Sequence, residues 1–165
     1  MLHARNRILM RASADVVYQL AAEIERWPVL LEHYRYVKIL EDLERSRTKQ
    51  SRVVKMSAFR TSIPTVWTSI QETYPERHEV RYRWIKGAAR DMDVVWRIEP
   101  AADGVQVTID HDLARPRWWL RNPLALSILG HVFIEHIAGK TLAGIKRHAE
   151  ARMALAEGQE PGLST

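Results

Sequence analysis

The hydrophobic pattern changes period along the chain, and each change marks an element. Residues 7–11 set Ile8, Leu9 and Met10 between two arginines and predict a short edge strand. From Ser13 the period is helical, with Val16, Val17, Leu20, Ala21 and Ile24 on one stripe. Ser13 is a favourable N-cap, and Asp15 falls in the first turn, where the helix dipole favours a carboxylate. Trp27-Pro28 predicts the end of that helix, because a residue before proline is pushed out of the α region. Pro28 then starts a second short helix over residues 29–33.

From Arg35 the period falls to two. Strands are predicted over residues 36–40, 51–59, 63–74, 80–84, 92–98 and 105–109, with the charged run 41–49 as the first hairpin turn. Val80, Tyr82 and Trp84 alternate with Arg81 and Arg83, the signature of a half-buried strand. Consecutive strands joined by short turns pair with one another. After an Arg-, Pro- and Trp-rich loop the period returns to helical over residues 122–152. Asn122 is the N-cap and Pro123 the first helical residue. Leu126, Ile128, Leu129, Val132, Phe133, Ile137, Leu142 and Ile145 make a stripe so wide that the helix needs cover on several sides. Gly130, Gly139 and Gly144 predict a break near Gly130 or a closely approaching surface. The fold class is therefore α+β: a curved antiparallel sheet of six to seven strands round a long C-terminal helix, with two short helices after the first strand. Residues 1–156 form one domain, and 157–165 a flexible tail.

The 165 residues suffice for one domain with a real core. A 46% hydrophobic and 27% charged composition is that of a globular protein. No cysteine is present, which removes thiol chemistry and disulfides. Neither a signal peptide nor a clean membrane span is seen, so the expected location is cytoplasmic. A net charge of +5 favours anionic partners. The arginines are scattered and match no nucleic-acid-binding motif, so no nucleic acid is expected. There is no glycine-rich phosphate loop, and no cofactor is implied. His131, Glu135 and His136 miss the two-histidine zinc spacing of helices, so no metal is expected either.

Ile8-Leu9-Met10, Ala14-Asp15-Val16-Val17 and Ile24-Glu25-Arg26-Trp27-Pro28-Val29-Leu30-Leu31-Glu32-His33-Tyr34 resemble the polyketide cyclase/dehydrase and lipid-transport family. That family lies within the START-like, birch-pollen-allergen-like helix-grip superfamily. Val66-Trp67-Thr68-Ser69 and Ala143-Gly144-Ile145-Lys146 are similar to its later elements. The resemblance implies a helix-grip fold with a deep cavity between sheet and long helix. It does not fix activity, since the superfamily includes aromatase/cyclases, coenzyme-Q-binding proteins and lipid carriers. Tetracenomycin-type aromatase/cyclases have a tryptophan-proline helix start, a tyrosine seven residues later and a Trp-x-Ser-x-Arg strand. Trp27, Tyr34, Trp67 and Ser69 match, and Gln71 stands in place of the arginine held to polarise a polyketide carbonyl.

The expected cavity is bounded by Trp27, Tyr34, Met56, Trp67, Ser69, Gln71, Tyr82, Trp84, Trp96 and His111, with Phe133 and Ile137 contributed by the long helix. The tryptophans serve equally as sheet-face core and as walls for a flat ligand. Tyr34, Gln71 and His111 are the candidate acid/base groups. Trp118 and Trp119 are either a lid packed on the helix or a gate. Arg115, Arg117 and Arg121 beside them suit an acyl carrier protein or a membrane surface. Two functions remain open: a carrier or sensor of a hydrophobic, lipid- or quinone-type small molecule, and a cyclase/dehydratase acting on a poly-β-ketone.

Overall fold

The computed structural model describes residues 1–158, without the side chains of Arg60, Trp119, His131, Val132 and Phe133. The chain opens with β1 (Leu2–Met10), α1 (Ala14–Ala22), a single 3-10 turn (Ile24–Arg26) and α2 (Trp27–Leu30). The strands β2 (Tyr34–Arg45), β3 (Gln50–Arg60), β4 (Ile63–Tyr74), β5 (Glu79–Lys86), β6 (Asp93–Ala101) and β7 (Gly104–Leu113) follow. A 3-10 turn (Trp118–Arg121), α3 (Pro123–Ser127), a π-helical segment (Ile128–Ile134) and α4 (Glu135–Gly158) close it. The seven strands form one sheet in the order β1-β7-β6-β5-β4-β3-β2. Every neighbouring pair is antiparallel. The expected meander is thus present, and β1 joins it beside β7 at the edge far from β2.

Alternation decides which face carries the core. Val105, Val107, Ile109, His111 and Leu113 of β7 are buried on one face, as are Val94, Trp96 and Ile98 of β6. On the other face Asp110 accepts from Arg5 Nε at 2.5 Å and Arg97 Nη1 at 2.6 Å, so its burial is matched by two guanidinium groups. α4 lies against β1 and α1.

Several expected boundaries move. β1 begins five residues earlier than predicted, and β2 runs through most of the charged stretch assigned to a turn. The outer half of β2 is exposed and rich in Glu, Asp and Arg, which protects an edge strand from pairing with other chains. The true β2–β3 turn is closed by Ser46 and Lys49, through a backbone bond of 2.8 Å. α1 stops at Ala22, before Trp27, because Glu23 leaves helical geometry at φ −82°, ψ 61°. The second helix takes in Trp27 itself and ends at Leu30, not His33.

The caps behave as expected. Ser13 Oγ accepts from Val16 N at 3.3 Å, and Asn122 Oδ1 accepts from Leu124 N at 2.8 Å. The long helix is interrupted where the glycines suggested. A Cβ on Gly130 would lie 2.7 Å from Leu2 Cδ1, and one on Gly144 would lie 2.3 Å from Leu31 Cδ2. These two glycines mark close approach, to β1 and to the end of α2 respectively. Around Gly130 the helix widens into its π-helical segment, a distortion that often accompanies a functional site.

Candidate binding cavity

A cavity of about 380 Å³ lies between the inner sheet face and the helix that follows β7, within the usual range for small-molecule sites. Strand register builds its wall row by row. Met56 pairs with Trp67, Tyr82 with Val94, Val94 with His111 and Trp96 with Ile109, and all of these line it. Trp27, Tyr34, Trp84, Ile137 and Thr141 complete most of the interior. The mouth is edged by Ile63 to Val66 on β4, Ala88 in the β5–β6 loop and Leu129 in the π-helical segment. No side chain among the described lining residues carries a fixed charge.

The aromatic residues form a continuous surface. Trp67 and Trp84 stack with centroids 5.1 Å apart and planes within 6°. Trp27 meets Tyr34 edge-on at 5.0 Å, and Trp96 lies tilted against it at 5.8 Å. Trp27 is anchored by its Nε1–H, which donates to Leu20 O at 2.8 Å, so its ring belongs both to the core and to the cavity wall.

Two expected lining residues lie behind the wall. Ser69 is fully buried between Val54 and Trp84 in register, at an irregularity in the β4–β5 pairing, and its short side chain stops short of the cavity. Gln71 is also fully buried and held away from the cavity. Its Oε1 accepts from Arg52 Nε at 2.8 Å, and its Nε2 donates to Ala22 O and Tyr82 Oη, each at 3.2 Å. The amide orientation is fixed chemically, since the Ala22 carbonyl can only accept. Arg52, opposite Gln71 in register, donates to both carboxylate oxygens of Glu25 and to Ala22 O at 3.2 Å. A chain therefore runs inward from the exposed Glu25 through buried Arg52 and Gln71 to Tyr82, closing the open C-terminal end of α1. The sequence reading missed Arg52. Its signal was phase: Arg52 shares the inward parity of Val54 and Met56.

The titratable groups divide by environment. Burial depresses His111 to about 4, only partly opposed by Asp110 and Asp112, so the imidazole is neutral at physiological pH. Its Nδ1 is buried without a hydrogen-bond partner. Burial pushes the Tyr34 and Tyr82 phenols well above their usual range, so both keep their protons. Thr141 Oγ1 donates its single proton to Ile137 O at 2.8 Å, so it accepts from His33 Nε2 at 2.9 Å. Tyr34 and Thr141 both face the cavity. Tyr82 accepts from Gln71, and its own proton has no protein acceptor among the described residues.

Of the loop residues, Trp118 is exposed and is not part of the cavity lining, whereas Leu120 is buried. Trp119 and Phe133, expected at the gate and in the lining, have side chains outside the described set, as does His131. No group of three His, Asp or Glu side chains with metal-binding geometry occurs among the described residues. No described helix is long and apolar enough to cross a membrane.

Comparison with known proteins follows the same geometry. Residues 10–134 match the family described as polyketide cyclase / dehydrase and lipid transport. The chain belongs to this family. A Streptomyces cyaneus family relative, named "Putative polyketide cyclase", is 27% identical over 115 residues, covering 68% of this chain and 72% of its own length. The Zhui aromatase/cyclase from Streptomyces sp. R1128 superposes with a TM-score of 0.75 at 21% identity, over 92% of this chain and 94% of that one. The di-domain ARO/CYC StfQ from the steffimycin biosynthetic pathway gives 0.75 at 16% identity, over 93% of this chain and 52% of that one. At these identities the two structures establish that the family's helix-grip fold is shared.

Proposed function

We propose that the cavity binds a hydrophobic, polyketide-like molecule and that the protein acts on it as a cyclase or dehydratase of a poly-β-ketone. The observation that carries this reading is an aromatic-walled cavity that contains one neutral imidazole, His111, and two protonated phenols, of which Tyr82 has its oxygen held by Gln71. A shape-setting pocket and one or two acid/base groups are what aldol closure requires, since folding the chain correctly supplies much of the barrier reduction. His111 takes an α-proton from the chain, and the resulting enolate carbon attacks a carbonyl carbon to form the ring bond. Tyr82 donates a hydrogen bond to that carbonyl oxygen as it gains charge, and the oxygen takes up a proton to become a hydroxyl. Loss of the hydroxyl as water, with a second α-proton going to base, gives the unsaturated ring. Gln71 acts as a positioning residue, holding the Tyr82 oxygen and passing on the polarisation of Arg52. Tyr34 shapes the cavity beside Thr141.

A second reading, a non-catalytic carrier of a lipid- or quinone-type molecule, is favoured by one observation. Gln71 stands in place of the arginine of the tetracenomycin-type aromatase/cyclases that the chain resembles, and Arg52 is neutralised by Glu25 instead of reaching the cavity. The two readings separate when purified protein is incubated with a poly-β-ketone mimic and products are resolved by mass spectrometry. The cyclase reading predicts dehydrated cyclic product above the spontaneous rate, falling about 10²-fold or more in Tyr82→Phe and in His111→Gln. Retention of the mimic with no gain over the spontaneous rate would favour the carrier.

A further inference from the structure

The stretch between β7 and α4 has a composition unlike the rest of the surface. Residues 113–134 include Arg115, Arg117 and Arg121 and no Asp or Glu. The three arginines are exposed and enter no ion pair among the described residues. Beside them Trp118 is 81% exposed, Leu124 68% and Ile128 44%. These are large apolar side chains left in water on one short segment, which folding alone does not favour. The segment also leads into the cavity mouth, because Leu129, the residue after Ile128, lines the cavity. Across the mouth Ile63 and Val66 line the same cavity and are 56% and 42% exposed.

We propose that this face docks on an anionic lipid bilayer, with Trp118, Leu124 and Ile128 in the headgroup–acyl boundary and the three arginines on lipid phosphates. An indole prefers the membrane interface, and cations beside it gain from the negative surface potential. An acidic protein surface would satisfy the arginines equally well. The apolar residues favour the bilayer, because they run from the segment into the mouth and give a hydrophobic ligand a path from acyl chains to cavity that avoids water. The proposal does not depend on whether the cavity is catalytic.

The test is co-sedimentation of the full chain with two vesicle types, phosphatidylcholine alone and phosphatidylcholine mixed with phosphatidylglycerol, at low and high salt. The proposal predicts binding to the mixed vesicles at low salt, weakened by salt and weaker on phosphatidylcholine alone. Arg115→Gln/Arg117→Gln/Arg121→Gln should lower the partition coefficient about a hundredfold, from roughly fivefold per arginine. Trp118→Ala should weaken binding as well, while its circular dichroism and melting temperature stay those of the parent. Leu155→Ser, at an exposed apolar residue of α4 outside the segment, should bind as the parent does. No sedimentation with mixed vesicles at low salt overturns the proposal. So does binding unaffected by both the triple-arginine and the Trp118 variants. Failure on vesicles together with arginine-dependent binding of an acidic acyl carrier protein would overturn it too, and would assign the face to that partner.

Discussion

Gln71 sits between a guanidinium and a phenol, and both ends of its amide are occupied. Gln71→Arg would place a second guanidinium against Arg52, with one carboxylate, Glu25, to serve both. The variant should lose on the order of 3 kcal/mol of stability, read from urea midpoints, because an uncompensated buried charge is costly. A parent-like midpoint would show that position 71 has room and a route to solvent. Two buried histidines set the acid limb of stability. His33 is depressed to about 4 by burial first, then by Lys140 and His136, and His111 to about 4 by burial. Between their ordinary value near 6.5 and about 4, the unfolded chain binds more protons than the folded one. Stability therefore rises with pH across that window and is lost as pH falls through it. Each histidine contributes a slope of up to about 1.4 kcal/mol per pH unit. His111→Gln should remove about half of this dependence in urea unfolding measured from pH 4 to 7, and an unchanged slope would mean that His111 is not buried neutral.

At the scale of elements, the β6–β7 turn carries the tightest backbone constraint. Gly104 adopts φ +146°, and a Cβ there would lie 2.1 Å from the Met10 carbonyl oxygen at the end of β1. Gly104→Ala should cost about 3 kcal/mol, because neither that conformation nor that contact suits a side chain. A melting temperature within a degree or two of the parent would contradict the close approach. The elements were legible where a local signal fixes them. The period-two runs found all the meander strands, and β4 falls on the predicted residues 63–74. Ser13 and Asn122 marked two helix starts, and Gly130 marked the interruption. Ends set by tertiary context were not legible: the charged outer half of β2 pairs with β3 despite its turn-like composition, and Trp27 continues into a helix because its indole is held by Leu20. In the cavity, Trp67, Tyr82, Trp84, Trp96 and His111, whose parity points inward, lie at the wall. Parity alone cannot tell a side chain that reaches the cavity from one retained behind it. Ser69 and Gln71 share the phase of Trp67, yet Gln71 is drawn to Arg52 across the sheet and to Ala22 at the end of α1, and the buried Ser69 hydroxyl has no partner among the described residues, none of which a local pattern reports.

At the scale of the whole molecule, one aromatic-walled cavity joins the sheet to the segment after β7. Carriage and chemistry alike require that this cavity accept a flat hydrophobic ligand. The most direct measurement is titration with a tricyclic hydroxyanthraquinone, followed by tryptophan fluorescence. Trp27, Trp67, Trp84 and Trp96 all line the cavity, so occupation should quench the emission saturably with one ligand per chain. Ala138→Phe, which fills the cavity from α4 without removing a wall residue, should weaken that binding at least tenfold and leave the fold intact by circular dichroism. Absence of saturable quenching in the parent, or equal affinity in the filled variant, would contradict the account.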